Sequence, residues 1–197
     1  MNKNVLGLCK IGDLTICDKF DLDGDSFVVD LGGFDGGFSK YILDKYNCRV
    51  DAYEPSKDIF RLTHPKLKFT NKAVWNGKKV KFLQTKGLDS SIKRGEGEWV
   101  ETVDILDITK EPIDLMKVNI EGAEIEVLNR ADLSNVRQLL VEFHVWCMDI
   151  FKPKLTRKAI NDTVDKIMSY GYEQIKLRED GAGYYFYKKR EKNERDK

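Results

Sequence analysis

Two acidic residues, Asp30 and Glu54, close the short apolar runs "FVVD" and "RVDAYE", and Gly32, Gly33 and Gly36 follow the first of them. Glycines between a strand and a helix let backbone N–H groups approach a ligand, and the helix N-terminus favours electron-rich groups. A dinucleotide fold needs G-x-G-x-x-G. Counted from Gly32, Phe34 holds the second glycine position, and counted from Gly33, Asp35 does, so that fingerprint fails. What remains is a pair of carboxylates, with Glu54 22 positions beyond Gly32. A carboxylate beside the turn can hold an ammonium group, and one at the end of the second strand can accept two ribose hydroxyls. S-adenosylmethionine (SAM) carries a ribose, an ammonium and a sulfonium, and no phosphate. A tight strand-to-helix turn and a solvated strand end would explain each feature singly; the order strand, glycine turn, helix, strand, acid favours the ligand.

A second group lies further along, in "IDLMKVNIEG" (113–122) and "RQLLVEFHV" (137–145). Lys117 and Asn119 are two apart on one strand and so share a face, as do Glu142 and His144 on the next, while Glu121 starts the intervening helix. In open α/β sheets ligands sit outside the carboxyl ends of the strands, where strand order reverses. A lysine inside a covered strand needs a partner to offset desolvation, which Glu142 or Asp30 could supply; the other reading is a catalytic or acceptor-binding lysine. His144, with an ordinary pKa near 6.5, could take a proton from an acceptor hydroxyl, or could be a histidine satisfied by backbone at a strand end.

The elements that must position these residues follow from periodicity. "FVVDL" (27–31) reads as a buried strand, and Phe38, Tyr41, Ile42 and Tyr46 recur at helical spacing after it. "RVDAYE" (49–54) is a second strand, after which Ser56 caps a short helix that His64-Pro65 ends. "LKFTNKAVW" (67–75) supplies a third strand, and "KKVKFLQ" (78–84) and "WVETVDIL" (99–106) two more, flanking a polar loop at 85–98. Ile125 and Leu128 point inward from the helix after 122. Thr156 caps a helix with the stripe Ile160, Val164, Ile167 and Met168, ended by Gly171. "YEQIKLRE" and "YYFYKK" close the chain as an antiparallel hairpin around "DGAG". This alternation is that of an α/β fold with a mainly parallel sheet.

The 197 residues suit one domain over 1–190, with a charged tail at 191–197 that has no reason to pack. A formal charge of +1 gives no electrostatic ground for a nucleic acid or an anionic membrane as partner. The four cysteines form no C-x-x-C pair, and the N-terminal stretch has no long apolar segment, so free thiols and a cytoplasmic location are expected. "DLDGD" (21–25) begins like a calcium loop, but Ser26 and Gly32 take the positions of its glycine and terminal Glu, so it reads as a turn and no metal site is expected.

Taken together, "DGDSFVVDLGGFDGGFS", "DAYEPS", "NKAVW", "DSSI", "VETVDILDI", "IDLMKVNIEGAEIEVL" and "LLVEFH" resemble the FkbM-type methyltransferases among the class I SAM-dependent enzymes, over about residues 22–145. The resemblance implies a Rossmann-like seven-stranded, mostly parallel sheet with helices on both faces and an antiparallel last strand. It implies that Asp30, Gly32, Gly33 and Gly36 line the methionine portion of SAM, that Glu54 holds the ribose, and that Asn71 and Ala73 lie near the adenine. The chain departs from the family in having Phe34 where Asn is common and Asn119 where the motif K-I-D-x-E-G has Asp.

The expected activity is therefore methyl transfer from SAM to an acceptor, a hydroxyl of a small molecule or saccharide by the resemblance. Catalysis would rest on positioning, with His144, or a water it orients, removing the proton and Asn119 and Glu121 placing the acceptor. A SAM-binding scaffold without turnover and a nucleotide-dependent oxidoreductase are the alternatives, the first motivated by Asn119 and the second weakened by the glycine spacing.

Overall fold

The computed structural model describes residues 8–11, 14–17, 20–83, 97–144, 157–180 and 182–189. A hairpin of β1 (Leu8–Ile11) and β2 (Leu14–Cys17) is followed by β3 (Phe27–Leu31), α1 (Gly37–Tyr46), β4 (Arg49–Tyr53), β5 (Leu67–Thr70), β6 (Ala73–Trp75) and β7 (Val80–Phe82). Then come β8 (Glu98–Val100), β9 (Thr102–Asp104), α2 (Ile105–Ile108), β10 (Leu115–Val118), α3 (Glu124–Arg130) and β11 (Gln138–Glu142). The chain closes with α4 (Arg157–Ser169), β12 (Glu173–Lys176) and β13 (Gly183–Tyr187).

Seven strands form one sheet in the order β12-β13-β11-β10-β3-β4-β5. The run from β11 to β5 is parallel, and β13 is antiparallel to both β11 and β12. The expected mostly parallel, seven-stranded sheet with a reversed last strand is thus the observed one. Chain order runs outward in opposite directions from β3 and β10, so the switch point lies between them.

Because side chains alternate across a strand, consecutive apolar residues feed opposite faces. Val28, Leu115, Leu140 and Tyr185 go to a cluster with Phe38, Ile42 and Leu43 of α1. Leu14, Ile16 and Phe20 from the hairpin region complete that cluster. Their neighbours Val29, Met116, Leu139 and Phe186 go to the other face, with Ile125 and Leu128 of α3 and Ile160, Val164 and Ile167 of α4. Helices therefore cover both faces, and the expected inward stripes of α3 and α4 are observed. The β1–β2 hairpin gave no signal in the residue pattern.

Three local expectations are corrected. Residues 56–59 form a turn and bend rather than a Ser56-capped helix. Glu54 accepts the Ser56 N–H at 2.7 Å, Asn71 Nδ2 donates to the Ser56 carbonyl at 3.3 Å, and Asp58 takes φ of 61°, so the backbone groups a first helical turn would use are committed elsewhere. The run 67–75 is two strands, since the Lys72 N–H turns back to the Thr70 carbonyl at 2.9 Å; β5 then edges the main sheet while β6 pairs with β9. Likewise 99–106 divides into parts of β8, β9 and α2, with Asp104 capping α2 by accepting the Leu106 N–H at 3.0 Å. "DLDGD" is the expected turn: Asp23 accepts from the Asp25 N–H and the Ser26 hydroxyl. The Thr156 cap, most of the 85–98 loop including "DSSI", Gly181 of the closing turn and the 191–197 tail lie outside the described residues.

Candidate functional site

The register of β3 against β10 places Asp30 opposite Lys117 at the switch point. Lys117 Nζ lies 3.0 Å from Asp30 Oδ1 and donates to the Gly32 carbonyl at 2.5 Å; Asp30 Oδ2 accepts the Ser39 hydroxyl at 2.7 Å. The two side chains are 4% and 0% exposed. Of the two readings open for Lys117, the geometry is that of the buried ion pair, with Asp30 and not Glu142 as partner. Its chemical effect is to tie the glycine turn to the sheet from beneath.

The turn itself is fixed by close approach. Gly32 has φ of 80°, and a Cβ there would sit 1.8 Å from the Asn119 carbonyl oxygen, so only glycine lets β3 and β10 exits meet. The Gly32 and Gly33 N–H groups both point at the Tyr53 carbonyl at 3.0 Å, and Gly36, with φ of 89°, caps α1. Phe34 also adopts a left-handed conformation, φ of 46°, and donates its N–H to Glu54 Oε2 at 2.9 Å. Asparagine tolerates that conformation better than phenylalanine does, which gives a backbone reason for the residue the resembling family commonly has there.

Above the turn lies a solvent-open cleft lined by Gly32, Tyr53, Glu54, Pro55 and Ala73, and by Val74, Phe82, Asn119, Ile120 and Glu121. Of the sequence-derived candidates the structure brings together Gly32, Glu54, Ala73, Asn119 and Glu121. Asp30, Lys117, Gly33 and Gly36 lie outside the lining, the first two as the ion pair and the last two in the turn against Phe60 and Leu62. Asn71 holds the wall: its Nδ2 donates to the Glu54 carbonyl at 2.8 Å. Each Glu54 carboxylate oxygen accepts one backbone N–H, from Phe34 and from Ser56, and each retains a second lone pair. Asn119 Nδ2 reaches Glu142 at 3.4 Å, Glu142 is clamped by Arg178 at 2.6 Å, and Asn119 Oδ1 is buried without a hydrogen-bond partner.

Glu121 does not start α3 as expected but sits in the turn before it, at φ of 56°, a conformation that a non-glycine residue holds only under constraint from its surroundings. The constraint comes from Glu124, a fully buried carboxylate that the residue pattern did not single out. Glu124 Oε1 accepts the N–H of Ile120 at 3.0 Å and of Gly122 at 3.1 Å, and lies 2.7 Å from His144 Nδ1. His144 Nε2 in turn lies 3.2 Å from Glu121 Oε1. Burial acts to strip the proton from His144, but the charges of Glu124 and Glu121 outweigh it and push the imidazole up to about 10. The ring is therefore an imidazolium at neutral pH and donates from both nitrogens. Burial raises the Glu121 carboxyl above its ordinary range, while Glu124, although burial acts the other way, is held below its range by the His144 charge. An acid in the first turn of a helix reads locally as a capping residue, so its second bond, to a histidine 20 positions away, left no local signal.

The strand order, its reversal at β13 and an acid-lined cleft at the switch point define a doubly wound α/β protein of the class that binds small ligands at that edge. Residues 79–173 match the model of the methyltransferase FkbM domain family. This is the family that the motifs resemble, although the glycine turn and Glu54 precede the matched segment. No curated protein matches the chain. Among solved structures, similarity extends to Aeropyrum pernix fibrillarin in complex with SAM, at 11% identity over 84% of this chain and 66% of that one with a TM-score of 0.45. It extends also to a methyltransferase from Pyrococcus furiosus, at 15% identity over 85% of this chain and 77% of that one with a TM-score of 0.42. The chain thus spans just under two thirds of the fibrillarin's length. Among the described residues no helix is long and apolar enough to cross a membrane.

Proposed function

We propose that this chain binds SAM in the cleft and transfers its methyl group to a hydroxyl oxygen of a small molecule or saccharide. The observation that carries the reading is the one-sided chemistry of the lining. Its charged side chains are those of Glu54 and Glu121, and no lysine or arginine lines it among the described residues. A ligand must therefore bring hydrogen-bond donors and positive charge. SAM fits that demand with two ribose hydroxyls, an ammonium and a sulfonium, whereas a pyrophosphate would meet carboxylates.

In this reading Glu54, preset by two backbone N–H groups, accepts the ribose hydroxyls, and Ala73 leaves room beside it for the adenine. When bound, SAM supplies a methyl group on a positively charged sulfur that an acceptor oxygen displaces. Glu121, facing the cleft with its carboxyl held above the usual range, orients the acceptor hydroxyl and takes its proton. His144 is too basic to remain unprotonated at neutral pH and holds Glu121 instead, which moves the proton-accepting role from the histidine to the glutamate. Asp30 and Lys117 keep the glycine turn at its height above the sheet.

The test is methyl transfer itself. Isotopically labelled SAM offered with a cell extract should label a product, and Glu121→Gln should reduce the labelling at least 100-fold. Saturated SAM binding with no labelled product would favour a SAM-binding scaffold over an enzyme.

A further inference from the structure

We infer that Glu124 and His144 are positioning residues for methyl transfer, acting through Glu121: the buried Glu124 carboxylate fixes the His144 ring, whose far nitrogen aims the Glu121 carboxylate into the cleft. The inference rests on the proposed methyltransferase function and adds to it Glu124, acting through His144; neither residue lines the cleft.

Three observations converge. Glu124 is 0% exposed, and its Oε1 accepts from two backbone N–H groups, of Ile120 and Gly122, that flank Glu121 in sequence. Glu121 itself stands at φ of 56° and Gly122 at 101°, so the backbone that presents Glu121 is strained, and Glu124 bonds it on both sides. His144, 9% exposed, then spans the gap, with Nδ1 2.7 Å from Glu124 and Nε2 3.2 Å from Glu121. A carboxylate that merely capped α3 would need only the backbone bonds. The contact with histidine on a different strand end gives this one a reach to the cleft.

The charge of the pair matters as well as its shape. With Glu124 ionised, the ring keeps both protons and Nε2–H donates to Glu121. With Glu124 neutral, the ring would lose a proton at lower pH, because the Glu121 carboxylate alone would offset burial. Nδ1–H would face residue 124, and the Nε2 lone pair would face the Glu121 carboxylate, which would turn away. The other charged group near Glu121 is Glu142 of β11, whose charge is clamped by Arg178, and the Asp30–Lys117 pair lies under the glycine turn.

Glu124→Gln tests this, because an amide oxygen at the Oε1 position can still accept the Ile120 and Gly122 N–H groups, and the negative charge is lost together with the second Gly122 contact, to Oε2 at 3.1 Å. In the full-length chain, labelled methyl transfer from SAM to the acceptor fraction of a cell extract is followed against pH, with SAM binding by calorimetry and the His144 titration by NMR. The expected result is unchanged SAM affinity, a His144 titration moved down by at least 100-fold in proton affinity, and a new alkaline limb below pH 9 above which transfer falls at least tenfold. A Glu124→Gln enzyme whose pH profile parallels the wild type, or whose loss is equal at every pH, would overturn the positioning role. If wild type transfers no methyl group at all, the function fails but the linkage is still judged: His144 must titrate far above 6.5, and Glu121→Gln must lower that value. The same wild-type titration decides the matter if Glu124→Gln does not fold, since a His144 titrating near 6.5 would contradict it.

Discussion

Lys117 and Asp30 meet across the switch point of the sheet, Nζ to Oδ1 at 3.0 Å, and the same ammonium also holds the Gly32 carbonyl. One buried cation thus joins the strand that ends in the glycine turn to the strand that ends at Asn119. Removing one member of such a pair leaves the other charge buried alone. Lys117→Met should therefore destabilise the fold by about 3–5 kcal/mol. Urea unfolding measures this, and Asp30→Asn combined with Lys117→Met should recover a large part of the loss.

Gly32→Ala places a Cβ 1.8 Å from the Asn119 carbonyl oxygen, a distance no rotamer can relieve because both partners are backbone-linked. The β3 and β10 exits must then separate. SAM affinity should fall at least tenfold by calorimetry. Phe34→Asn acts in the opposite sense on stability: it relieves a left-handed φ of 46° at the next turn position but one. It should raise stability by about 0.5–1 kcal/mol, read as a shift in urea midpoint at constant slope.

The His144 cluster gives a pH signature. The imidazole has its folded value raised from 6.5 to about 10, so the stability it contributes is fully present below 6.5 and is lost as pH rises through about 10. Glu124 is lowered from 4.5, so its contribution is present above 4.5 and is lost as pH falls through its folded value. Thermal unfolding followed across pH should show a decline on the alkaline side beginning above 6.5. His144→Gln should flatten that decline.

Asn119 stands where the motif of the resembling family has Asp, and here its amide donates toward Glu142 at 3.4 Å. Asn119→Asp would put a second carboxylate against Glu142, which Arg178 already neutralises. Like charges at that distance disfavour joint ionisation. The variant should be less stable than wild type at pH 7, and the difference should shrink by pH 4.5, as measured by urea midpoints at the two values.

The strand, glycine turn and helix at 27–46 were legible because the apolar run, the turn residues and the 3.6 period each point the same way. The sheet's reversed last strand was legible from the short "DGAG" turn and from the family resemblance. The division of 67–75 was not, because the bend after Thr70 is held by a backbone contact and by Asn71 reaching back to Glu54, and no local pattern encodes a partner 17 positions away. Lys117 was readable as a buried lysine in need of an acid, but the choice between Asp30 and Glu142 required the β3–β10 register. Glu124 was hidden by looking like an ordinary first-turn acid, and the charge state of His144 followed from that hidden residue.

In the proposed function the acid-lined cleft is a SAM site in which Glu54 holds the ribose. Calorimetric titration of the full-length chain with SAM, with NAD as control, tests it most directly. Wild type should bind SAM, Glu54→Ala should bind it at least tenfold more weakly, and NAD should not bind; absence of SAM binding, or SAM binding indifferent to Glu54→Ala, would overturn the assignment of the cleft.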